Sequence, residues 1–166
     1  MKTSTIILSL LILSVLCVGS MFAQATATQN LNLAVNAIYK ISTSGNPGAL
    51  TITTGTAGTD ALTSVSDAST TYSITQNFAN TVKITANLDA ALPAGYTLQV
   101  NLASGKGTSA GTVDISNATA ASALSVVTAI AKGADAGKAI TYTFGASASA
   151  GTLTSTAKVV TLTLTN

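Results

Sequence analysis

The feature that most constrains this chain is a regular alternation of apolar and polar residues. It is clearest in the runs 81–88, 96–103, 139–145 and 159–166, where every second residue is apolar. Because successive side chains of a strand point to opposite faces of a sheet, this period predicts half-buried β-strands. The residues that fill these runs are largely Thr, Val and Ile, which fit a pleated surface. The chain is therefore predicted to be all-β.

Shorter runs and turn clusters extend this pattern along the chain. Further strands are predicted at 30–35, 37–42, 49–53, 71–76, 112–116 and 123–129. Clusters rich in Gly, Ser and Asp predict turns between them, including SDAS at 66–69 and KGADAG at 132–137. Short strands at such spacing, with Gly-rich turns, are typical of an antiparallel sandwich or barrel. No fixed-length repeat is visible in the sequence, which favours a sandwich over a β-solenoid.

The first two predicted strands share one pattern with a single break. Leu31, Leu33 and Val35 lie on one parity, which Tyr39 continues, whereas Ile38 interrupts the alternation. Such a break is expected at a β-bulge or at a switch between sheets. We therefore predict a long first strand that starts in one sheet and finishes in the other.

The first 25 residues have the parts of a secretory signal peptide. Lys2 precedes an apolar run of 13 residues, 6–18, and an A-x-A ending lies at 23–25. A helix that crosses a bilayer takes roughly 20 residues, so a cleaved leader is favoured over a retained anchor. We predict removal of residues 1–25 and one domain at 26–166 without a transmembrane segment. The protein is expected to be secreted, or held at the surface, by a bacterial cell.

The composition excludes most kinds of chemistry. Charged residues make up 7% of the sequence, against roughly 25% in typical soluble domains, so no basic surface is available for nucleic acid. The sequence has no His, and its one cysteine, Cys17, lies in the leader. Zinc sites, Cys–His pairs and Ser–His–Asp triads are thereby excluded. The aspartates lie mostly in predicted turns, where Asp commonly caps backbone N–H groups. We expect no enzymatic activity, no metal and no cofactor.

The chain also has few residues of the kinds that protect sheet edges from pairing with other strands. The chain has two prolines, Pro47 and Pro93, both in Gly-containing turns. Sheet edges of soluble proteins are usually protected by Lys, Pro or inward charges, because unpaired edges recruit other strands. The edges of this domain are therefore expected to be covered, or to pair with another chain.

The segment ATQNLNLAVNAIYKIS at 27–42 and the terminal KVVTLTLTN at 158–166 resemble known secreted families. The layout is similar to bacterial pilin or fimbrial subunits and to spore-coat-U-like (DUF4402-like) domains, although the chain lacks the Cys pair of usher-type pilins. The resemblance implies an immunoglobulin-like β-sandwich that assembles by strand exchange between subunits. The candidate donor strand carries Leu31, Leu33 and Val35. The terminal strand, also a candidate for pairing, carries Val160, Leu162 and Leu164.

Two functions of different class follow. The first is a structural subunit of an extracellular fibre or surface coat, whose partner is a further copy of the same chain in a homo-oligomer or filament. The alternative is a monomeric secreted adhesin or ligand-binding module. In that case loops 54–70 and 104–111 would contact a cell surface or a glycan.

Overall fold

The computed structural model describes residues 25–166, so the predicted leader falls outside the described residues except for Ala25. The sandwich comprises Asn36–Asn166, and the described residues before it, 25–35, belong to a separate unit. Two short 3₁₀ turns lie at Ala120–Ser122 and Ala148–Ala150. The strands of the described part are β1 (Tyr39–Thr43), β2 (Val65–Gln76), β3 (Val82–Leu88), β4 (Tyr96–Leu102), β5 (Thr108–Ser109), β6 (Val113–Asp114), β7 (Leu124–Ile130), β8 (Gly133–Ala146) and β9 (Val160–Thr165).

The strands form two antiparallel sheets. Sheet 1 has the order β1-β2-β8-β4-β6, and sheet 2 has the order β5-β7-β3-β9. Every pairing between neighbouring strands is antiparallel. The predicted all-β antiparallel sandwich is therefore confirmed.

The core lies between the sheets and follows the alternation seen in the sequence. In β3 and β4 the apolar positions point inward, so that Ile84 and Val100 have no exposed surface. The positions between them, such as Lys83 and Thr97, face solvent. The described aromatic side chains pack in or against this core. Tyr72, for example, is fully buried, and its hydroxyl donates a hydrogen bond to the Ala103 carbonyl (2.6 Å).

The two ends of the sandwich can be told apart by the direction of the strands. β1 begins opposite the last residue of β2, and β9 finishes beside the start of β3. We call this the lower end; it also holds the connections 77–81, 103–107 and 131–132. The upper end holds the connections 44–64, 89–95, 115–123 and 147–159. The first residue of β1, Tyr39, and the last residue of β9, Thr165, therefore both lie at the lower end.

The two sides of the sandwich also differ. On one side β5 of sheet 2 continues through residues 110–112 directly into β6 of sheet 1. We call this the closed side, because one continuous path crosses from sheet to sheet. On the other side the edges are β1 and β9, which lie near each other without a connection between them. We call this the open side.

Two of the predicted turns are β-bulges inside long strands. The SDAS segment lies in β2, where the pairing with β8 shifts between Asp67 and Thr70. The KGADAG segment opens β8, and the register shifts again near Gly137, which has a φ of 62°. A bulge uses the same Gly, Asp and Ser residues as a turn, because its extra residue takes a non-strand conformation. The sequence pattern alone therefore does not distinguish a bulge from a turn.

Two predicted strands are absent from the described structure. Residues 49–53 form no strand; Leu50 packs against the core, but the main chain there has no neighbouring strand. Residues 30–35 are also unpaired, and β1 begins only at Tyr39. The expected sheet switch near Ile38 is therefore wrong, and the switch occurs between β5 and β6 instead. Alternation supplies a suitable face, but a strand also requires a partner for its backbone.

Candidate assembly site

The open side leaves inward-facing apolar side chains incompletely covered. Val160, Leu162 and Leu164 on β9 point toward the core and pack against it, yet all three remain partly exposed. Within residues 25–166, β9 pairs with β3 on one side only. The terminal-strand residues that the sequence singled out therefore lie at an edge of sheet 2.

The backbone of β9 directs hydrogen-bonding groups away from the sheet at these same residues. The Asp89 N–H donates to the Val159 carbonyl (3.0 Å), so residue 159 faces β3. Since the hydrogen-bonding direction alternates along an antiparallel pair, residues 161, 163 and 165 also face β3. Val160, Leu162 and Leu164 consequently turn their N–H and C=O groups toward the free edge. Both an apolar surface and a row of backbone groups are thus available at this edge.

β1 has the same arrangement in the facing sheet. The Asn77 N–H donates to the Ile38 carbonyl (3.3 Å), and the Ser44 N–H donates to the Thr71 carbonyl (2.9 Å). By the same alternation, Tyr39 and Ile41 direct their backbone groups to the free edge. Their side chains point inward and are half-buried. These two residues could not be singled out from the sequence, because their exposure depends on which strand forms the edge.

The candidate donor residues belong to none of the strands of the sandwich. Leu31, Leu33 and Val35 belong to no strand, and 73%, 87% and 83% of their respective surfaces are exposed. No residue from 26 to 38 is charged. An exposed segment with alternating leucine and valine is unusual, because large aliphatic side chains normally find a covering surface. The structure thus leaves both the candidate donor and the open side without a partner among the described residues.

Asn77 fixes the point at which this segment joins the sandwich. Its side-chain Nδ2 donates to the Asn36 carbonyl (2.9 Å), and its Oδ1 accepts from the Ile38 N–H (2.7 Å). These bonds hold the chain just before β1 against the β2–β3 connection at the lower end. Asn77 was not among the predicted site residues; its only signal in the sequence is its place in a short connection between strands.

One buried carboxylate among the described residues anchors a loop. Asp135 is buried, and its Oδ2 accepts hydrogen bonds from the N–H groups of Gly105 (2.7 Å) and Lys106 (3.1 Å). Its Oδ1 lies 3.1 Å from the Lys138 ammonium. Burial acts to raise the pKa of Asp135, but the Gly105 N–H and Lys138 outweigh it, so the pKa lies below its ordinary value. Asp135 therefore anchors the 103–107 connection to β8. Over residues 25–166, no group of three or more His, Cys, Asp or Glu side chains is placed to hold a metal ion.

An open depression of about 410 Å³ lies at the upper end. Asp60 borders it, but its carboxylate already accepts hydrogen bonds from the backbone N–H (2.8 Å) and the hydroxyl (3.0 Å) of Ser149. The depression is lined by Asp60, Ala61, Leu62, Gly95, Thr97, Gly145, Ala146 and Ser147. It includes part of the predicted contact loop 54–70, whereas loop 104–111 lies at the lower end and closed side.

Comparison with protein-family models, with curated proteins and with solved structures finds no match to this chain. In the part of the chain that the structure describes, no helix has the length and apolar character needed to cross a membrane.

Proposed function

We propose that this protein is a structural subunit of an extracellular fibre or surface coat, assembled by strand pairing between copies. The observation that supports this most directly is the open side. There, β9 presents half-buried Val160, Leu162 and Leu164, with their backbone groups directed to a free edge. A further strand at this edge would satisfy those groups and complete the cover of the core.

The segment before β1 has the properties that such a strand requires. Leu31, Leu33 and Val35 repeat every second residue, which matches the spacing of the inward positions on β9. Burying each side chain fully contributes about 1.5–3 kcal/mol. Ordering the backbone costs about 1–2 kcal/mol per residue, so apolar burial alone does not suffice. The main-chain hydrogen bonds along β9 must contribute as well, and this makes the free edge as important as the apolar surface.

The sequence supports the same proposal independently. A predicted signal peptide and a low content of charged residues suit an exported protein that acts through its backbone. The resemblance to pilin-type and spore-coat-U-like domains implies an immunoglobulin-like sandwich and strand exchange.

A matched pair of substitutions tests the proposal. Leu33→Asp places a charge on the parity that is expected to enter a neighbouring copy, whereas Asn32→Asp places the same charge on the opposite parity. We expect electron microscopy and sedimentation to show filaments or large oligomers for the wild type and N32D. L33D, or deletion of residues 26–36, should leave monomers. A wild-type protein that stays monomeric at high concentration would refute the proposal, as would equal assembly of L33D and N32D.

The alternative is a monomeric secreted adhesin or binding module, and the depression at the upper end is the observation in its favour. Its open shape and its small lining residues suit a shallow contact with a glycan or a cell surface. Glycan or cell binding that survives deletion of residues 26–36 and is lost on Ala61→Trp, which places a large side chain at an exposed position of the depression, would favour this function over assembly.

A further inference from the structure

The position of the chain termini determines how two strand-exchanging copies can be arranged. The candidate donor joins the sandwich at the lower end, where β1 begins, and β9 runs from the upper end to the lower end. If the donor lies antiparallel to β9 of the acceptor copy, the chain that follows the donor emerges at the upper end of the acceptor. If the donor lies parallel to β9, the chain emerges at the lower end of the acceptor. The first arrangement stacks the copies head to tail, and the second places two lower ends together in a closed pair.

Only a short connection would separate the stacked copies. Four residue steps join Val35 in the donor to Tyr39 in β1, and they span at most about 14 Å when fully extended. Charges act over about 8 Å at physiological ionic strength and over about 30 Å at 0.01 M, so at low ionic strength they act across the whole of this connection. The charges on the two ends that meet would therefore affect assembly.

The exposed lysines are concentrated at the lower end. Lys106 and Lys132 lie in two of the three connections at this end, and Lys40 and Lys83 lie one residue inside the strands that start there. All four side chains are exposed. Lys138 lies farther up, and Asp135 pairs with it. The lower end thus has an excess of positive side-chain charge.

Three of the five aspartates lie toward the upper end. Asp60 lies in the 44–64 connection, Asp89 directly follows β3, and Asp67 lies near the upper start of β2. Hydrogen bonds to Asp67 from Ser69, and to Asp89 from the Val159 N–H, lower the pKa of both carboxyls, so both stay ionised in mild acid. Lys158 also lies at this end, with its ammonium 3.2 Å from the Ala90 carbonyl. Asp114, on β6, lies near the middle of the sandwich.

We propose that copies of this chain stack in one direction, with the lysine-bearing lower end of one copy against the aspartate-bearing upper end of the next. This inference rests on the proposed function. In it, the donor segment lies antiparallel to β9, with Val35 nearest Val160, and the opposite charges align the two copies as they meet. The partner of each end is a second copy of the same chain, and the assembly is polar and open-ended.

Zero-length coupling of lysine to aspartate with a carbodiimide tests the direction in the native protein. A seven-residue strand spans about 23 Å, so a link between Lys106 or Lys132 and Asp60 or Asp89 cannot form within one copy. Mass spectrometry of coupled assemblies should find these links between copies. An amine-specific reagent should find no link between Lys132 of one copy and Lys132 of another. Such a lower-to-lower link would overturn the inference and would indicate the closed pair.

A matched pair of variants tests the role of charge. K106S/K132S removes two lysines from the lower end, and S125E/A139E gives the same net charge by changing exposed positions near mid-height. At low ionic strength we expect K106S/K132S to elongate on the order of tenfold more slowly than the wild type. Assemblies of S125E/A139E should elongate at nearly the wild-type rate, and about 1 M salt should remove the difference in rate between the two variants. Equal slowing of both variants would overturn the inference about charge, but it would not contradict the proposed strand pairing. A failure of every variant and of the wild type to assemble would instead refute the proposed function itself.

Discussion

The edge strands on the closed side of the sandwich differ from those on the open side in length, connection and burial. On the closed side, the edge strands β5 and β6 have two residues each, and a three-residue crossing joins them. Behind them, Ile115 and Val126 have no exposed surface. On the open side, β1 and β9 are longer, have no connection to each other, and leave their inward side chains half-exposed.

The difference is one of topology and not of residue type. β9 is as apolar on its inward face as the buried strands β3 and β4. Its leucines are exposed because the strand has a single neighbour, whereas on the closed side a short crossing covers the core. An edge that is both long and apolar is a site for pairing with another chain. Substitutions on each side test whether the two sides differ in this way.

The largest effect on stability is expected on the closed side. Ile115→Ala removes a fully buried side chain next to the β5–β6 crossing, and we expect a loss of about 2–5 kcal/mol in the free energy of unfolding. Leu162→Ala, on the open side, should cost about 1–2 kcal/mol in the monomer because the leucine is half-exposed. Urea denaturation of the two variants measures both losses. Equal losses would show that the two sides are equally well covered.

Proline substitutions test the direction of the β9 backbone. Thr163 turns its N–H toward β3, so Thr163→Pro removes a ladder hydrogen bond and should cost about 3 kcal/mol. The N–H of Leu162 faces the free edge, and Leu162→Pro should cost less, about 1–2 kcal/mol, mainly from lost apolar burial. Leu162→Pro should nevertheless block assembly. Denaturation combined with sedimentation checks both expectations, and a larger cost at Leu162 than at Thr163 would contradict the assigned direction.

A smaller effect is expected from the Asp135 anchor, which holds the connection that leads into β5. Asp135→Asn should cost about 1–3 kcal/mol, because a charged acceptor of two backbone N–H groups is lost. The pKa of Asp135 is lowered in the folded state. Its stabilisation is therefore complete above the unfolded-state pKa of about 3.9 and decreases as the pH falls through the folded-state pKa.

The difference in stability between wild type and D135N should accordingly be constant near neutral pH and shrink in acid. Urea denaturation across this range measures it. A difference that grows as the pH falls would contradict the assigned role of the carboxylate.

The smallest effect on folding is expected from the candidate donor. Leu33→Asp changes an exposed residue outside the sandwich, so the free energy of unfolding of the monomer should change by less than about 0.5 kcal/mol. A loss of several kcal/mol would show that Leu33 packs within its own chain. The segment could then not be available to a neighbour.

The alternation in the sequence predicted β3, β4 and β9 well. The predictions failed where a strand lacks a partner or where a bulge interrupts a strand. β3, β4 and β9 follow the alternation within a residue or so, because burial on one face and β-branched residues on the other suffice to specify them. At 132–137 and 66–69, Gly, Ser and Asp indicated turns, but β2 and β8 run on through bulges. There the long-range pairing of two strands overrides the local preference.

The candidate site was predictable only in part. Val160, Leu162 and Leu164 could be named from their alternation, and so could Leu31, Leu33 and Val35. That β9 is an edge, and that β1 faces it, depends on the order of strands in two sheets, which alternation does not encode. The charge difference between the two ends is likewise hidden in the sequence. Lys40 and Lys132 are far apart along the chain and share an end only because of how β1, β2 and β8 pair.

The two sides should also differ in how readily their backbones open. On the closed side three residues join the edge strands β5 and β6 directly, whereas the edge strands β1 and β9 are not joined to each other. Each of them is held by one ladder of backbone hydrogen bonds, so either can detach locally while the core beside Ile115 stays covered. Amide hydrogen exchange should accordingly slow progressively from β9 and β1 toward β7 and β4. Local detachment of either edge would also give an entering strand access to the core.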